Sequence, residues 1–218
     1  MCFSATASFA AGASLSAIGV ATIARSNRRS ELAFAAIPLL FGIQQTVEGV
    51  IWLTFRSDPL NLNQAMTFIY SLFSHVLWPI YVPLALYFLE KQPWRKKTML
   101  GFLAAGTAVG LYLLYFLVTQ PIAAEVESRH IVYRSPHFYI ALVMVAYVAA
   151  TCLSGFFSSH GFVKLFGSLA LLAFIATYLF YTHALVSVWC FFAALLSVLI
   201  YAHLRYRRLG GFPRDVVG

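Results

Sequence analysis

The charged residues of this chain stand almost entirely between long apolar runs, and that segregation constrains the fold more than any motif does. Seven runs can be marked: 3–24, 32–55, 65–89, 99–119, 138–157, 162–181 and 184–204. Each matches the roughly 20 residues that an α-helix needs to cross a bilayer. Charged residues make up 10% of the chain and hydrophobic ones 61%, with a mean hydropathy of +0.80, against about 25% charged in soluble domains. So few charges cannot clothe a water-facing surface. Seven spans use on the order of 150 residues, which leaves short tails and connections in a chain of 218. The expectation is an all-α polytopic membrane protein, one seven-helix domain over residues 1–218. The last two runs are separated only by Thr182 and His183. Read as one helix they would extend about 64 Å, twice the hydrocarbon thickness, so a tight helical hairpin is expected there.

Lysine and arginine set the direction of insertion. Arg25, Arg28, Arg29, Lys91, Arg95, Lys96, Lys97, Lys164, Arg205, Arg207, Arg208 and Arg214 fall in one set of connections, and Arg56, Arg129 and Arg134 in the other. This alternation predicts an N-terminus outside and a C-terminus in the cytoplasm. The net charge of +8 is then an orientation signal with a capacity for anionic lipid, and no nucleic-acid partner is expected. The arginines follow the first run instead of preceding it, the reverse of a secretory signal, which predicts a retained first span. On that span Ser4, Ser8, Gly12 and Ser16 recur every four residues, a small-residue face suited to close helix packing; a central position for this helix is expected. The connection 120–137 carries Glu125, Glu127, Arg129, His130, Arg134 and His137 and forms either a lid over the outer face or a solvated loop.

Ionisable groups inside a membrane cost several kcal/mol and usually face an interior cavity. Two stand well within the runs, Glu48 and His75. Glu48 shares a helix face with Gln44 and Gln45, roughly 10 Å below the outer surface; His75 lies about 15 Å deep on a stripe with Thr67, Ser71, Ser74 and Trp78. Ser4, Ser8, Tyr178, Tyr181, His183 and Cys2 belong to the same outer half. The pattern predicts an outward-facing pocket centred on Glu48 and His75. His75, His183, Glu48 and Cys2 are the residue types that bind zinc or another divalent transition metal. A metal-bound water could then hydrolyse a lipid or other small amphiphile, with Glu48 and Ser74 as catalytic groups. A proton-coupled or small-solute carrier using Glu48 and His75 is the alternative. Others are an accessory or sensor subunit, or a Glu–His pair serving only as glue between helices. A retinal Schiff base is excluded because every lysine lies in a connection or, like Lys164, at the very edge of a run, and covalent haem because no CxxCH occurs. Oligomeric state is left open.

The opening Met1-Cys2-Phe3-Ser4-Ala5-Thr6-Ala7 and the segment Ala36-Ile37-Pro38-Leu39-Leu40-Phe41-Gly42-Ile43-Gln44-Gln45-Thr46-Val47-Glu48-Gly49 resemble an uncharacterised family of small bacterial membrane proteins over most of the chain. The resemblance implies a protein of the bacterial cytoplasmic membrane and places Cys2, Ser4, Gln45 and Glu48 in recognisable motifs. A looser likeness in chemistry is to the seven-span zinc hydrolases of the alkaline ceramidase and adiponectin receptor type. Ser74, His75 and Glu48 echo their serine, histidines and acid, but the last run lacks the HxxxH of those enzymes and no intramembrane aspartate is present.

Overall fold

A computed structural model describes residues 4–26, 28–55, 61–120, 122–127 and 130–208, with side chains described as far as residue 205. The helices in order are α1 (Ala5–Arg25), α2 (Arg29–Thr54), α3 (Leu62–Leu89), α4 (Pro93–Thr119), α5 (Ala141–Phe156), α6 (Gly161–Phe180) and α7 (Leu185–Arg208). All except α5 are long and apolar enough to cross a membrane; α5 has the same composition over a shorter length. The protein is therefore an all-α, multi-pass membrane protein. Between α4 and α5 lies a two-stranded antiparallel hairpin, β1 (Ala124–Glu127) and β2 (His130–Tyr133), in which Glu127 pairs with His130 and Ala124 with Tyr133. The end of the bundle that carries it is called the hairpin end below.

Local chemistry marks the helix boundaries. Ser4 caps α1 by accepting a hydrogen bond from the Ala7 amide at 3.2 Å, which satisfies one of the orphan donors of the first turn. Pro93 opens α4, where a missing N–H costs nothing. α2 is interrupted at Ala36, two residues before Pro38. The break between α6 and α7 is a short turn, Thr182–Ala184.

The small-residue face of α1 packs along α2. A β-carbon on Gly12 would come within 2.4 Å of Thr46 Oγ1, and one on Gly19 within 2.4 Å of the Leu39 amide nitrogen. The expectation of a central α1 is corrected, however. Its buried residues are confined to that one stripe, Ser8, Gly12, Leu15, Gly19 and Thr22, while α2 and α7 are the most enclosed helices. A face of glycine and serine fits one neighbour closely but has too little surface to anchor helices all round. The centre is formed instead by larger groups of α2, α3 and α7.

At the end opposite the hairpin, the Glu90 carboxylate is buried just beyond α3. It accepts hydrogen bonds from the Ser158 hydroxyl, the Ser159 amide at 2.7 Å and the Ser159 hydroxyl at 2.8 Å, with His160 Nδ1 3.5 Å away. One acid thus clamps the α5–α6 connection. Burial by itself would raise the Glu90 carboxyl, but the hydrogen bonds from His160, Ser158 and Ser159 outweigh it and hold the group down to about 2.

α3 and α4 touch most closely where Gly106 meets Pro79. A β-carbon on Gly106 would lie 1.9 Å from the Pro79 carbonyl oxygen, whereas one on Gly101 of the same helix would meet nothing within 4 Å. Gly106→Ala must push the helices apart and should lower stability by roughly 1–3 kcal/mol, as overpacking does. Gly101→Ala should be neutral or mildly stabilising. Thermal unfolding of the two variants in detergent checks this. The depressed Glu90 pKa predicts stabilisation that is complete above pH 4.5 and lost as pH falls toward about 2. Wild type should lose more stability than Glu90→Gln between pH 6 and pH 3 in the same assay.

Candidate functional site

His75 stands in the middle of α3 because the helix is not regular there. Residues Leu72–Leu77 form a π-helical segment, closed by the Trp78 amide donating to the Phe73 carbonyl. In an α-helix that amide would serve Ser74 instead. The next residue, Pro79, has no N–H to offer, so the helix leaves the Ser74 carbonyl without a backbone donor. The Tyr147 hydroxyl of α5 donates to it. Single π turns of this kind are frequent at functional sites, and this one sets the orientation of two adjacent side chains. Ser74 Oγ lies 2.8 Å from His75 Nδ1 and donates to the Ser71 carbonyl at 3.5 Å. Where the hydroxyl accepts from Nδ1–H, the ring is the tautomer in which Nε2 is an acceptor.

Nε2 lies 3.0 Å from the Ser135 hydroxyl. Ser135 follows β2 and is fixed on every side. Its amide donates to the Tyr133 carbonyl at 2.9 Å, its carbonyl accepts from the Phe138 amide at 3.2 Å, and Pro136 keeps it out of the helical region, at φ −122° and ψ 77°. The hairpin that carries it is anchored in turn. Tyr133 stacks on Tyr70 of α3 with ring centroids 4.4 Å apart, all four residues of β2 are buried, and Arg134 pairs with Glu125 at 2.9 Å and with Glu127. Phe138 covers His75 edge-on at 5.2 Å. Ser135 borders an open crevice of about 740 Å³ at the hairpin end, lined also by Val132, Tyr133, Arg134, Pro136, Tyr139, Thr182 and His183. The arrangement is a hydroxyl held against an imidazole whose far nitrogen is oriented by a third group, the geometry of an activated nucleophile.

Glu48 belongs to a separate cluster. Fully buried on α2, it accepts from the Ser187 hydroxyl of α7 at 2.6 Å, with Gln45 and Tyr70 beside it. One turn along α2, Gln44 accepts from Trp78 Nε1 at 2.8 Å, and Trp78 stacks on Phe41 at 4.0 Å. Cys190 of α7 faces Gln44 and Tyr70. These contacts tie α2, α3 and α7 together through groups that hydrocarbon would otherwise strand.

A family model matches residues 1–214. The chain belongs to DUF6629, a family of unknown function. No curated protein and no solved structure matches it.

In this DUF6629 protein the residues expected from sequence sort into several places. His75 and Ser74 lie in the π segment, and Ser71 immediately precedes it. Glu48, Gln44, Gln45 and Trp78 occupy the α2–α3–α7 seam. Ser8 is buried against α2, and Ser4 caps α1. His183 is exposed on the turn before α7 and neighbours His130, not His75; burial first, and then His183, press the His130 imidazole below its ordinary value. Tyr181 meets His130 edge-on at 5.3 Å, and Tyr178 stacks on Phe174 at the surface. Cys2 lies outside the described residues. Among the described residues no three His, Cys, Asp or Glu side chains gather closely enough to hold a metal ion, so the expected zinc set of Glu48, His75 and His183 is not assembled by them. Ser135, Tyr147 and Ser187 have no motif to mark them in the sequence. The Ile131-Val132-Tyr133 run before Ser135-Pro136 is the one signal of an ordered connection, and it does not point to an imidazole 60 residues away.

Tyr147→Phe strands the Ser74 carbonyl in a buried site and should cost roughly 1–3 kcal/mol, read as a lower melting temperature in detergent. Phe138→Leu, which leaves that hydrogen bond intact but removes a buried ring, should cost about 1–2 kcal/mol, less than a full truncation to alanine.

Proposed function

We propose that this protein is a seven-span hydrolase of the bacterial cytoplasmic membrane that cleaves an ester or amide bond in a lipid or other small amphiphile. Ser135 is the nucleophile and His75 the general base. The observation that carries the reading is the 3.0 Å contact between Ser135 Oγ and His75 Nε2, on the wall of a crevice large enough for a small ligand. As Oγ attacks the acyl carbon, its proton passes to Nε2. The imidazolium then gives that proton to the leaving oxygen or nitrogen, and the acyl group stays on Oγ. Water attacks the acyl-serine with Nε2 taking its proton, and the return of that proton to Oγ releases the acid. Ser74 holds the imidazole in the required tautomer throughout.

Twelve of the fifteen lysines and arginines fall in the connections opposite the hairpin end or in the C-terminal tail, which supports a cytoplasmic location for that end and an outward-facing crevice. α5 serves as the seventh span. Its 16 residues rise about 24 Å, and the preceding turn Pro136–Tyr139 completes the crossing.

A membrane-impermeant fluorophosphonate applied to intact cells should label Ser135 covalently. Ser135→Ala should abolish labelling, and His75→Asn should slow it by about 100-fold, the lower range for a lost general base. Peptide mapping identifies the modified residue. Absence of labelling in wild type, or labelling that persists in Ser135→Ala, overturns the reading.

A further inference from the structure

The π segment that presents His75 also redirects α3. On the side away from the hairpin, α3 runs against α4, closest at Gly106 and Pro79, with Gly110 against Ile80. On the hairpin side, the stretch Leu62–Ser71 packs on α2 instead, where Asn63 donates to Thr54 Oγ1 at 2.9 Å. The two helices therefore splay, and between them a groove of about 530 Å³ opens on the side of the bundle, its apolar walls formed by Ala65, Phe68, Ile69, Leu117 and Val118. Leu117 and Ile122 also line a smaller cavity of about 130 Å³, whose other lining residues include Gln120, Arg134, His137 and Ser135. Ser135 borders the open crevice as well. Ser135 thus lines both the open crevice and the small cavity that shares Leu117 and Ile122 with the lipid-facing groove.

Resting on the hydrolase reading above, we infer that the groove between α3 and α4 takes the acyl chain of a membrane lipid sideways from the bilayer. The carbonyl at the head of that chain then meets Ser135, while the polar headgroup occupies the crevice. Three observations favour a hydrocarbon chain as the occupant. The groove lies between two helices long and apolar enough to span a membrane, its mouth is flanked by the exposed Val118, and among the described residues its lining is apolar except for Asn61 and Gln64. The substrate class is an acyl ester or amide of a lipid, approached without leaving the membrane.

The full-length protein in phospholipid vesicles containing a lipid with a diazirine in its acyl chain provides the test. Photolysis should place cross-links on peptides 61–69 and 117–122 at several times the level on the exposed α6 residues Leu172 and Leu179. Ala65→Trp combined with Val118→Trp should cut groove cross-linking at least fivefold and leave α6 unchanged. Groove labelling no higher than that of α6 overturns the inference. Two fluorophosphonates, one with a long alkyl chain and one short and water-soluble, separate it from the hydrolase reading. In the filled-groove variant the long probe should react with Ser135 at least tenfold more slowly and the short probe at the wild-type rate. Equal slowing of both probes, or slowing of neither, with Ser135 labelled by both, overturns the groove while the hydrolase stands. Groove-specific cross-linking with no reaction of Ser135 toward either probe overturns the hydrolase and leaves the groove as a lipid site.

Discussion

Pro79 has no amide hydrogen, and the geometry around His75 depends on that. Within α3 a π segment pairs the Trp78 amide with the Phe73 carbonyl, and Pro79 cannot supply the amide that would then serve Ser74, so the Ser74 carbonyl is left over. In hydrocarbon an unpaired carbonyl costs several kcal/mol, and Tyr147 removes that cost from another helix. The same local widening aims His75 at Ser135 and turns the first half of α3 toward α2. A single missing donor therefore links the position of the imidazole, the docking of α5 and the divergence of α3 from α4.

Several other polar groups of the interior are matched across helices in the same way. Gln44 is matched by Trp78, Glu48 by Ser187, and Trp189 donates to the Ala170 carbonyl. Each pair joins two different helices, so burying polar atoms in this bundle also specifies which helices are neighbours. Individually such bonds contribute modestly in membranes. Their value lies in register, because sliding a helix by one residue would strand both partners. Glu90 plays the same part where the bundle meets solvent, holding three consecutive residues of a connection with one carboxylate.

Much of the architecture was legible in the chain itself. Apolar runs separated by Arg28-Arg29, Lys96-Lys97 and similar clusters announce membrane helices, since hydropathy acts on each segment independently. Glu48 and His75 announced themselves by standing where charge is expensive, and both are buried. Their partners were not legible. Spacing places residues on a helix face, but it does not say which way that face turns once helices pack. Glu48 met Ser187, 139 residues away, and His75 met Ser135. The small-residue face of α1 was visible as a stripe; that it serves one neighbour only, and leaves α1 at the periphery, depends on the bulk of the helices that competed for the centre.

By itself the sequence determined a helical membrane protein, its approximate spans and the two ionisable residues within them, because these follow from the transfer cost of each segment. Only the tertiary structure decided that Ser135 in a connecting hairpin closes on the histidine, that the acid joins a different cluster, and that a groove opens beside the site. Those outcomes depend on through-space pairing among distant segments, and no local property of the chain encodes a distance between them.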